Sequence, residues 1–259
     1  LAKEQAAREE DIPTRYRLLT RIVADETAVG RLADAFTTAG SIRDRKPQSE
    51  ALLSMGLILL EQERYQQAQT LLDYIPYVGM RAPIFAALAI HQGDQGNPTE
   101  ASALLAKALE PTGFEPSLEH LPGALQSVLK AQLQVGDPEM DDAVFARAHE
   151  LAFQIPESLN QVNALTYLAS AEAQRGYMER ANKTISSAWR IAWMNKKTPI
   201  YAMALANITQ SQIAVGDILS AFDSAARIPN PAPENVNNRA ADGSFRVPKF
   251  DALTSVAAA

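Results

Sequence analysis

The stretch ALQSVLKAQLQVGDPEMD at residues 124–141 returns as ALTYLASAEAQRGYMERA at residues 164–181 and as ALANITQSQIAVGDILSA at residues 204–221. Each stretch opens with Ala-Leu and carries a Gly at its thirteenth position, which is Gly136, Gly176 or Gly216. Forty residues before Gly136 stands another glycine, Gly96. Self-similarity at a fixed period of this length is the signature of stacked-repeat proteins. Residues 96–216 therefore define the repeat register, that is, the spacing of equivalent positions, and the rest of the chain is aligned to it.

Two steps of thirty-three residues extend this register from Gly96 back to Glu63 and then to Gly30. Eleven residues before the six markers stand large apolar side chains, namely Leu19, Leu52, Phe85, Leu125, Leu165 and Leu205. Five residues after them stand Ala35, Ala68, Ala101, Asp141, Ala181 and Ala221, and twelve after them Ile42, Ile75, Ala108, Ala148, Ala188 and Ile228. Asp141 is the one polar residue in these columns, and a local slip of two residues would put Ala143 in its place.

Apolar residues at helical spacing flank every marker, so each repeat is expected to be two antiparallel helices with the marker in the turn. Glycine adopts positive φ without strain and closes the first helix. Expected N-caps of the second helices are Asn97, Asp137 and Asp217. The small residue five positions later allows the paired helices to approach closely.

The repeat register predicts an all-α chain with one continuous body over residues 1–259. The expected repeats are 14–46, 48–78, 79–115, 116–156, 157–197 and 198–228, with a link at Arg45-Lys46-Pro47, a long loop at 229–248 and the start of a further repeat at 249–259. Residues 1–13 are expected to be the second helix of a truncated repeat, since Ile12-Pro13 matches the helix ends Ile75-Pro76, Ile155-Pro156 and Ile228-Pro229. Both ends look cut, which indicates a fragment of a larger protein.

The layout resembles the tetratricopeptide repeat (TPR) family, in a degenerate form. The positions of the family motif are matched by Leu205, Gly216-Asp217, Ala221 and either Ala225 or Ile228. In the preceding repeat they are matched by Leu165, Gly176, Ala181 and Ala188. The signature aromatic residues are mostly missing, and a forty-residue period exceeds the family norm. The resemblance covers nearly the whole chain and implies a right-handed α-solenoid of antiparallel helix hairpins.

In TPR arrays the first helices line a concave groove that usually holds a peptide. The resemblance places in this groove Gln126, Lys130, Gln134, Asn163, Thr166, Tyr167, Ser170, Gln174, Asn207 and Gln210. Amides and hydroxyls hydrogen-bond an extended backbone and tolerate many side chains. The alternative is that these residues simply form the solvated faces of the first helices. The basic and amide clamp with which some TPR proteins hold acidic chaperone tails is not present as a set.

Composition narrows the possible functions. The chain has 259 residues, 47% hydrophobic content, a net charge of −6 and a pI near 5.2. It therefore lacks the basic surplus typical of nucleic-acid binders, and no apolar run is long enough for a membrane span. The absence of cysteine excludes disulfides, thiolate zinc sites and cysteine nucleophiles. It favours an exported or periplasmic location without deciding the compartment.

Three other groups of residues have a functional and a structural interpretation. His91, His120 and His149 have no ligand-type partner at helical spacing, so no metal site is expected. Asp137, Glu139, Asp141 and Asp142 lack the calcium-loop pattern and are better explained as acids at a helix start. The third group mixes aromatic and basic side chains, namely Trp189, Arg190, Trp193, Lys196 and Lys197. Such a group could stack on nucleic-acid bases. The favoured interpretation is that the two tryptophans pack at i, i+4 and that the basic side chains lie at the helix C-terminus.

These observations predict a non-enzymatic scaffold without cofactor or metal that binds a protein or peptide segment. The alternative is a small-molecule binding protein whose arc forms a pocket for a sugar or a peptide fragment. An enzyme of the helical-toroid kind ranks last, because it needs a convergent acid pair that no motif template supplies. The sequence identifies neither the partner nor the oligomeric state.

Overall fold

The computed structural model describes residues 2–110, 118–229 and 248–259, and over these residues the chain is all-α with no strand. The helices are α1 Ala2–Arg8, α2 Ile12–Ala28, α3 Leu32–Gly40, α4 Arg45–Glu61, α5 Tyr65–Leu71, α6 Val78–Asp94, α7 Pro98–Ala108, α8 Leu121–Val135, α9 Asp141–Gln154, α10 Ser158–Gln174, α11 Met178–Met194, α12 Ile200–Ala214, α13 Ile218–Arg227 and α14 Pro248–Ala258. Short 3₁₀ helices occupy Leu72–Tyr74 and Pro138–Met140. None of these described helices is both long enough and apolar enough to cross a bilayer.

The helices form two compact units that divide within α9, residues 1–144 and 145–259. In the first unit α2, α4 and α6 pack on α3, α5 and α7, which follow them in the chain. The first helices also pack on one another, α2 on α4, α4 on α6 and α6 on α8. α1 packs on α2, as expected for the second helix of a preceding repeat.

The second unit repeats the same pairing with two hairpins. α10 packs on α11, and α12 packs on α13. The first helices α10 and α12 lie side by side, and α14 packs on both α12 and α13. The predicted long loop at 229–248 lies, apart from its ends, outside the described residues, and so does the whole segment 111–117.

Every marker lies in the turn between a first and a second helix, as the repeat register predicts. Gly30, Gly96, Gly176 and Gly216 have φ between 78° and 86°, and Glu63 replaces glycine with φ 58°. In all five turns the residue after the marker donates its backbone N–H to the carbonyl of the residue four positions before the marker. Tyr177, for example, donates to the carbonyl of Glu172 at 2.9 Å. This is the hydrogen bond of a Schellman motif, and it satisfies a carbonyl that the helix end leaves open.

The turn at Gly136 closes in another way. Gly136 has φ −76° and donates to the carbonyl of Gln132. The next N–H, that of Asp137, donates to Ser102 Oγ on α7 at 2.6 Å. A Cβ on Gly136 would lie 2.4 Å from Cδ of Gln132. Glycine is therefore needed here for space against Gln132 and not for positive φ.

The predicted N-caps are confirmed at two of three positions. Asp137 accepts from the N–H of Glu139, and Asp217 accepts from that of Ser220. Asn97 lies at the N-cap of α7, but its side chain makes no cap bond and donates instead to Gln92 Oε1.

The column of small residues is buried throughout, since all six members have 0% exposure. Asp141 keeps this position and Ala143 is exposed, so the suggested slip of two residues is wrong. Gln132, also fully buried, donates from Nε2 to Asp141 Oδ1 at 2.9 Å. A buried amide partner thus keeps the acid in register, because the hydrogen bond offsets the cost of desolvation.

A second buried polar pair recurs between the two helices of a hairpin. Thr38 Oγ1 donates to Glu26 Oε2, and Thr184 Oγ1 donates to Glu172 Oε2, each at 2.8 Å. Glu26 and Glu172 stand four residues before their markers, and the threonines stand eight after. The corresponding residues of the second repeat are Leu59 and Leu71, both buried. In these three repeats the same place in the core is therefore filled either by a polar pair or by two leucines.

The two buried carboxylates differ in the cation beside them. Burial raises the pKa of Glu26, but hydrogen bonds from Lys3, at 2.9 Å, and from Thr38 outweigh burial, and the net pKa lies below its usual value. Burial dominates at Glu172 and raises its pKa, although Thr184 and Arg180, at 3.4 Å, oppose it.

Two predicted boundaries are wrong. α1 ends at Arg8, and Ile12 begins α2 with 56% exposure, whereas Ile75, Ile155 and Ile228 are buried directly after helix ends. Pro13 lies in the first turn of α2, where proline lacks only an N–H that has no helical partner. The predicted link 45–47 is likewise the first turn of α4, which Asp44 caps by accepting from the N–H of Lys46.

Candidate functional site

The face shared by α10 and α12 carries six of the ten polar residues that the TPR resemblance placed in a groove. Both are first helices, and their buried sides hold apolar residues such as Leu165, Leu168, Leu205 and Ile208. The helices lie side by side, so residues at equivalent turns of the two helices meet at the seam.

A cleft of about 300 Å³ follows this seam, and we call it the amide cleft. Its lining residues are Asn163, Thr166, Tyr167, Ser170, Asn207, Gln210 and Ser211. Asn207 Nδ2 donates to Asn163 Oδ1 at 2.5 Å and joins the two helices across the cleft. Six of these seven residues belong to the ten predicted for the groove.

The hydroxyl groups of the cleft are oriented by backbone carbonyls. Ser170 Oγ and Ser211 Oγ both donate to the carbonyl of Thr166, at 2.9 and 3.3 Å. Thr166 Oγ1 donates to the carbonyl of Asn163 at 2.9 Å. The hydroxyl protons of Thr166, Ser170 and Ser211 are therefore used within the protein, and their oxygen lone pairs are what these three groups offer to a ligand.

Tyr167 supplies the one aromatic ring and the one ionisable side chain of the lining, and 47% of it is exposed. The remaining lining residues are neutral amides and hydroxyls. The lining of the amide cleft therefore contains no carboxylate, ammonium, guanidinium or imidazole group and presents no formal charge. Such a surface selects ligands by hydrogen bonding and ring contact.

The other four predicted groove residues lie elsewhere. Gln174 is exposed near the C-terminus of α10 and does not line the amide cleft. Gln126, Lys130 and Gln134 are exposed at i, i+4 and i+8 of α8, so they form one stripe on a helix of the first unit. The groove prediction for these residues remains a prediction.

Ser211 is the lining residue that the sequence prediction omitted. It is 2% exposed and stands one residue after Gln210. Its equivalents in the two preceding repeats are Ala131 and Ala171, which are both buried. A hydroxyl in place of a buried alanine was therefore the available signal.

The first unit has a second cleft, of about 490 Å³, between α2 and α4. Its lining residues are Ile12, Pro13, Tyr16, Arg17, Thr20, Asp44, Pro47 and Glu50. The sequence prediction missed it because Pro13 and Pro47 were assigned to a helix end and a link, and not to the first turns of neighbouring helices.

Beside this cleft, Glu50, Glu119 and His120 bring potential metal-ligand atoms within 4.8 Å of one another. Lys46 already supplies a cation there, since its Nζ lies 2.6 Å from Glu119 Oε1. This hydrogen bond lowers the pKa of Glu119 and raises that of Lys46. A metal ion would have to displace the ammonium group, so we interpret the cluster as an ion-pair contact that fixes residues 119–120 against α4.

The histidines have separate surroundings. The ring of His91 stacks on Tyr65 with centroids 3.6 Å apart, and His149 lies 4.9 Å from the ring of Phe153. Burial, and to a lesser degree Arg180, lowers the pKa of His149. Each ring is thus explained by its packing partners.

Neither a protein-family model nor a curated protein sequence matches the chain. The geometry of the residues themselves therefore carries the functional argument.

Proposed function

We propose that the chain is a non-enzymatic scaffold, a right-handed α-solenoid of TPR-like hairpins, that binds an extended segment of another protein in the amide cleft. The observation that carries the proposal is the lining of that cleft, in which amides and hydroxyls from two neighbouring first helices surround one tyrosine ring.

The chemistry of the lining suits a peptide main chain. A peptide unit offers one N–H donor and one carbonyl acceptor, and a side-chain amide offers both functions in return. In the free protein Asn207 Nδ2 donates to Asn163 Oδ1 across the cleft. A bound segment would replace this one bond with bonds from the two amides to its own backbone.

The test is capture from a phage-displayed library of random peptides, followed by affinity measurement on the recovered sequences. The variant Asn163→Ala/Asn207→Ala should weaken binding of these peptides about tenfold or more, since two polar contacts are lost. A matched control is Asn182→Ala, which removes an exposed amide from α11. Equal binding by the double variant and the control would refute the assignment, provided that both retain the thermal midpoint of the unaltered protein.

A second candidate is the binding of a small neutral molecule such as a sugar. The volume of about 300 Å³ and the tyrosine ring beside amides and hydroxyls favour it, because this set also matches a ring of hydroxyl groups. A panel of neutral mono- and disaccharides at millimolar concentration would raise the thermal midpoint under this alternative. Under the peptide proposal the recovered peptides raise the midpoint and the sugars do not.

A further inference from the structure

The turn between α11 and α12 is exposed and carries both apolar and basic side chains. Trp193 is 42% exposed and Met194 is 78% exposed at the end of α11. Lys196 and Lys197 follow directly, and residues 193–199 are all exposed except Asn195. We call Trp193, Met194, Lys196 and Lys197 the aromatic–basic turn.

The turn is ordered by its own hydrogen bonds. Asn195 Nδ2 donates to the carbonyl of Ile191 at 2.8 Å, and Thr198 Oγ1 donates to the carbonyl of Asn195 at 2.8 Å. Backbone bonds from Lys196 to Trp193 and from Tyr201 to Thr198 continue the pattern. The backbone that carries the exposed side chains is therefore preformed, and little backbone entropy is lost when a partner contacts them.

The charge of this region is opposite to that of the whole chain. Residues 180–216 contain five bases, Arg180, Lys183, Arg190, Lys196 and Lys197, and no acid, whereas the net charge of the chain is −6. Among the described residues, no carboxylate forms an ion pair with Arg190, Lys196 or Lys197. A partner that bears negative charge is therefore complementary to this end of the hairpin.

The tryptophan rings indicate which anionic partner fits. Trp189 and Trp193 stack with centroids 5.3 Å apart and planes at 20°, which confirms the predicted i, i+4 pair. The Lys196 ammonium lies 4.1 Å from the centroid of Trp193. These contacts already occupy the π-surface of Trp193, so little of it remains for a nucleic-acid base. Its exposed edge and the flexible Met194 suit insertion between lipid headgroups, where tryptophan and lysine side chains are favoured.

We propose that the aromatic–basic turn docks the protein on a membrane surface rich in anionic phospholipid. Lys196 and Lys197 contact the phosphate groups, while Trp193 and Met194 enter the interfacial layer. Each lysine near an anionic surface contributes about 1 kcal/mol, and the apolar contacts of Trp193 and Met194 add to this attraction, so the docking is reversible.

The chain supplies its own probe for this proposal, because its two tryptophans, Trp189 and Trp193, are both at the site. The full chain is mixed with vesicles of phosphatidylcholine that contain about one third phosphatidylglycerol. Tryptophan emission should shift to the blue and become protected from acrylamide, and flotation should recover the protein with the vesicles. Pure phosphatidylcholine vesicles should give neither result, and raising the salt from 0.05 to about 0.5 M should weaken binding, since screening shortens the range of the attraction.

Variants separate the two components. Lys196→Glu/Lys197→Glu should reduce the vesicle affinity by at least roughly 30-fold, and Met194→Ser should reduce it without changing its dependence on salt. The matched charge control is Arg43→Glu/Lys107→Glu in the first unit, and the matched apolar control is Leu219→Ser, where the residue replaced is 87% exposed on α13. Both controls should retain binding.

Any of four outcomes would overturn the proposal. The first three are an unchanged emission spectrum with anionic vesicles at low salt, equal binding to vesicles of both compositions, and equal losses in the site variants and their controls. Saturable quenching by a single-stranded RNA without vesicle binding would assign the same surface to nucleic acid and also refute it. None of these results depends on the amide cleft, so the proposal stands or falls separately from peptide binding.

Discussion

Glu172 and Thr184 hold α10 to α11 through a hydrogen bond of 2.8 Å between two side chains that are each 1% exposed. Twelve residues separate them in the chain, and the same separation joins Glu26 to Thr38. A carboxylate in the core of a hairpin is stable only while its hydrogen-bond donors remain in place.

Thr184→Val tests the contribution of this pair. The substitution keeps the shape of the side chain and removes the donor, so the buried carboxylate loses a bond and the free energy of unfolding should fall by about 1.5–3 kcal/mol. Denaturant titration measures the loss. The double variant Glu172→Leu/Thr184→Leu imitates Leu59 and Leu71 of the second repeat and should lose less than Thr184→Val. The reverse order would contradict the interpretation.

The raised pKa of Glu172 predicts a pH dependence of stability. Because burial raises this pKa above its ordinary value of 4.5, the folded state binds a proton more tightly than the unfolded state does. The contribution of Glu172 to the free energy of unfolding therefore falls as pH rises from 4.5 through the folded pKa. Glu172→Gln should remove this part of the curve, so the difference between the two proteins shrinks in acid. A parallel pair of curves would show that the shift is absent.

Glycine 93 marks a close approach of α6 and α8. A Cβ there would lie 2.1 Å from Cβ of Val135, which cannot move without its backbone. Gly93→Ala should therefore lower the free energy of unfolding by about 1–3 kcal/mol. Gly123→Ala is the matched control on α8, where nothing lies within 4 Å of the added methyl group, and it should stabilise by about 0.5–1 kcal/mol. Thermal and denaturant unfolding of both variants compare the two effects.

Glu63 occupies a turn where the other repeats have glycine, and its φ of 58° is strained for a side chain with a Cβ. Glu63→Gly should raise the free energy of unfolding by about 0.5–1 kcal/mol, after the entropy cost of glycine is subtracted. The reciprocal variant Gly30→Ala, at φ 82° in open space, should lower it by about 1 kcal/mol. A loss of stability in Glu63→Gly would show that its side chain makes an important contact.

Features that depend on nearby residues were predictable from the sequence. Glycines at 30, 96, 176 and 216 and the fully buried alanines five residues later reflect local turn geometry and helix contact. The buried Asp141 was not predictable from its own position, because its stability depends on Gln132 nine residues earlier. Ile12-Pro13 was misassigned for a similar reason, since proline is equally acceptable after a helix and in the first turn of the next.

The candidate site also has features that were predictable from the sequence and features that were not. Six residues of the amide cleft were among those that the TPR resemblance implied, and they meet because α10 and α12 lie side by side. Two features could not be predicted, because they depend on where helices begin and end. One is the position of Gln174 outside the amide cleft, and the other is the second cleft, between α2 and α4. Those boundaries are set by caps such as Asp44, whose role appears only when the backbone around it is known.

The bond from the Asp137 N–H to Ser102 Oγ gives the fourth turn a dependence that the other turns lack. Their closing bonds lie within the turn itself, so each can form as soon as its own chain segment is synthesised. The turn at Gly136 is complete only when α7 is packed beside it. Loss of the Ser102 hydroxyl would therefore weaken this turn and leave the closing bonds of the other turns in place.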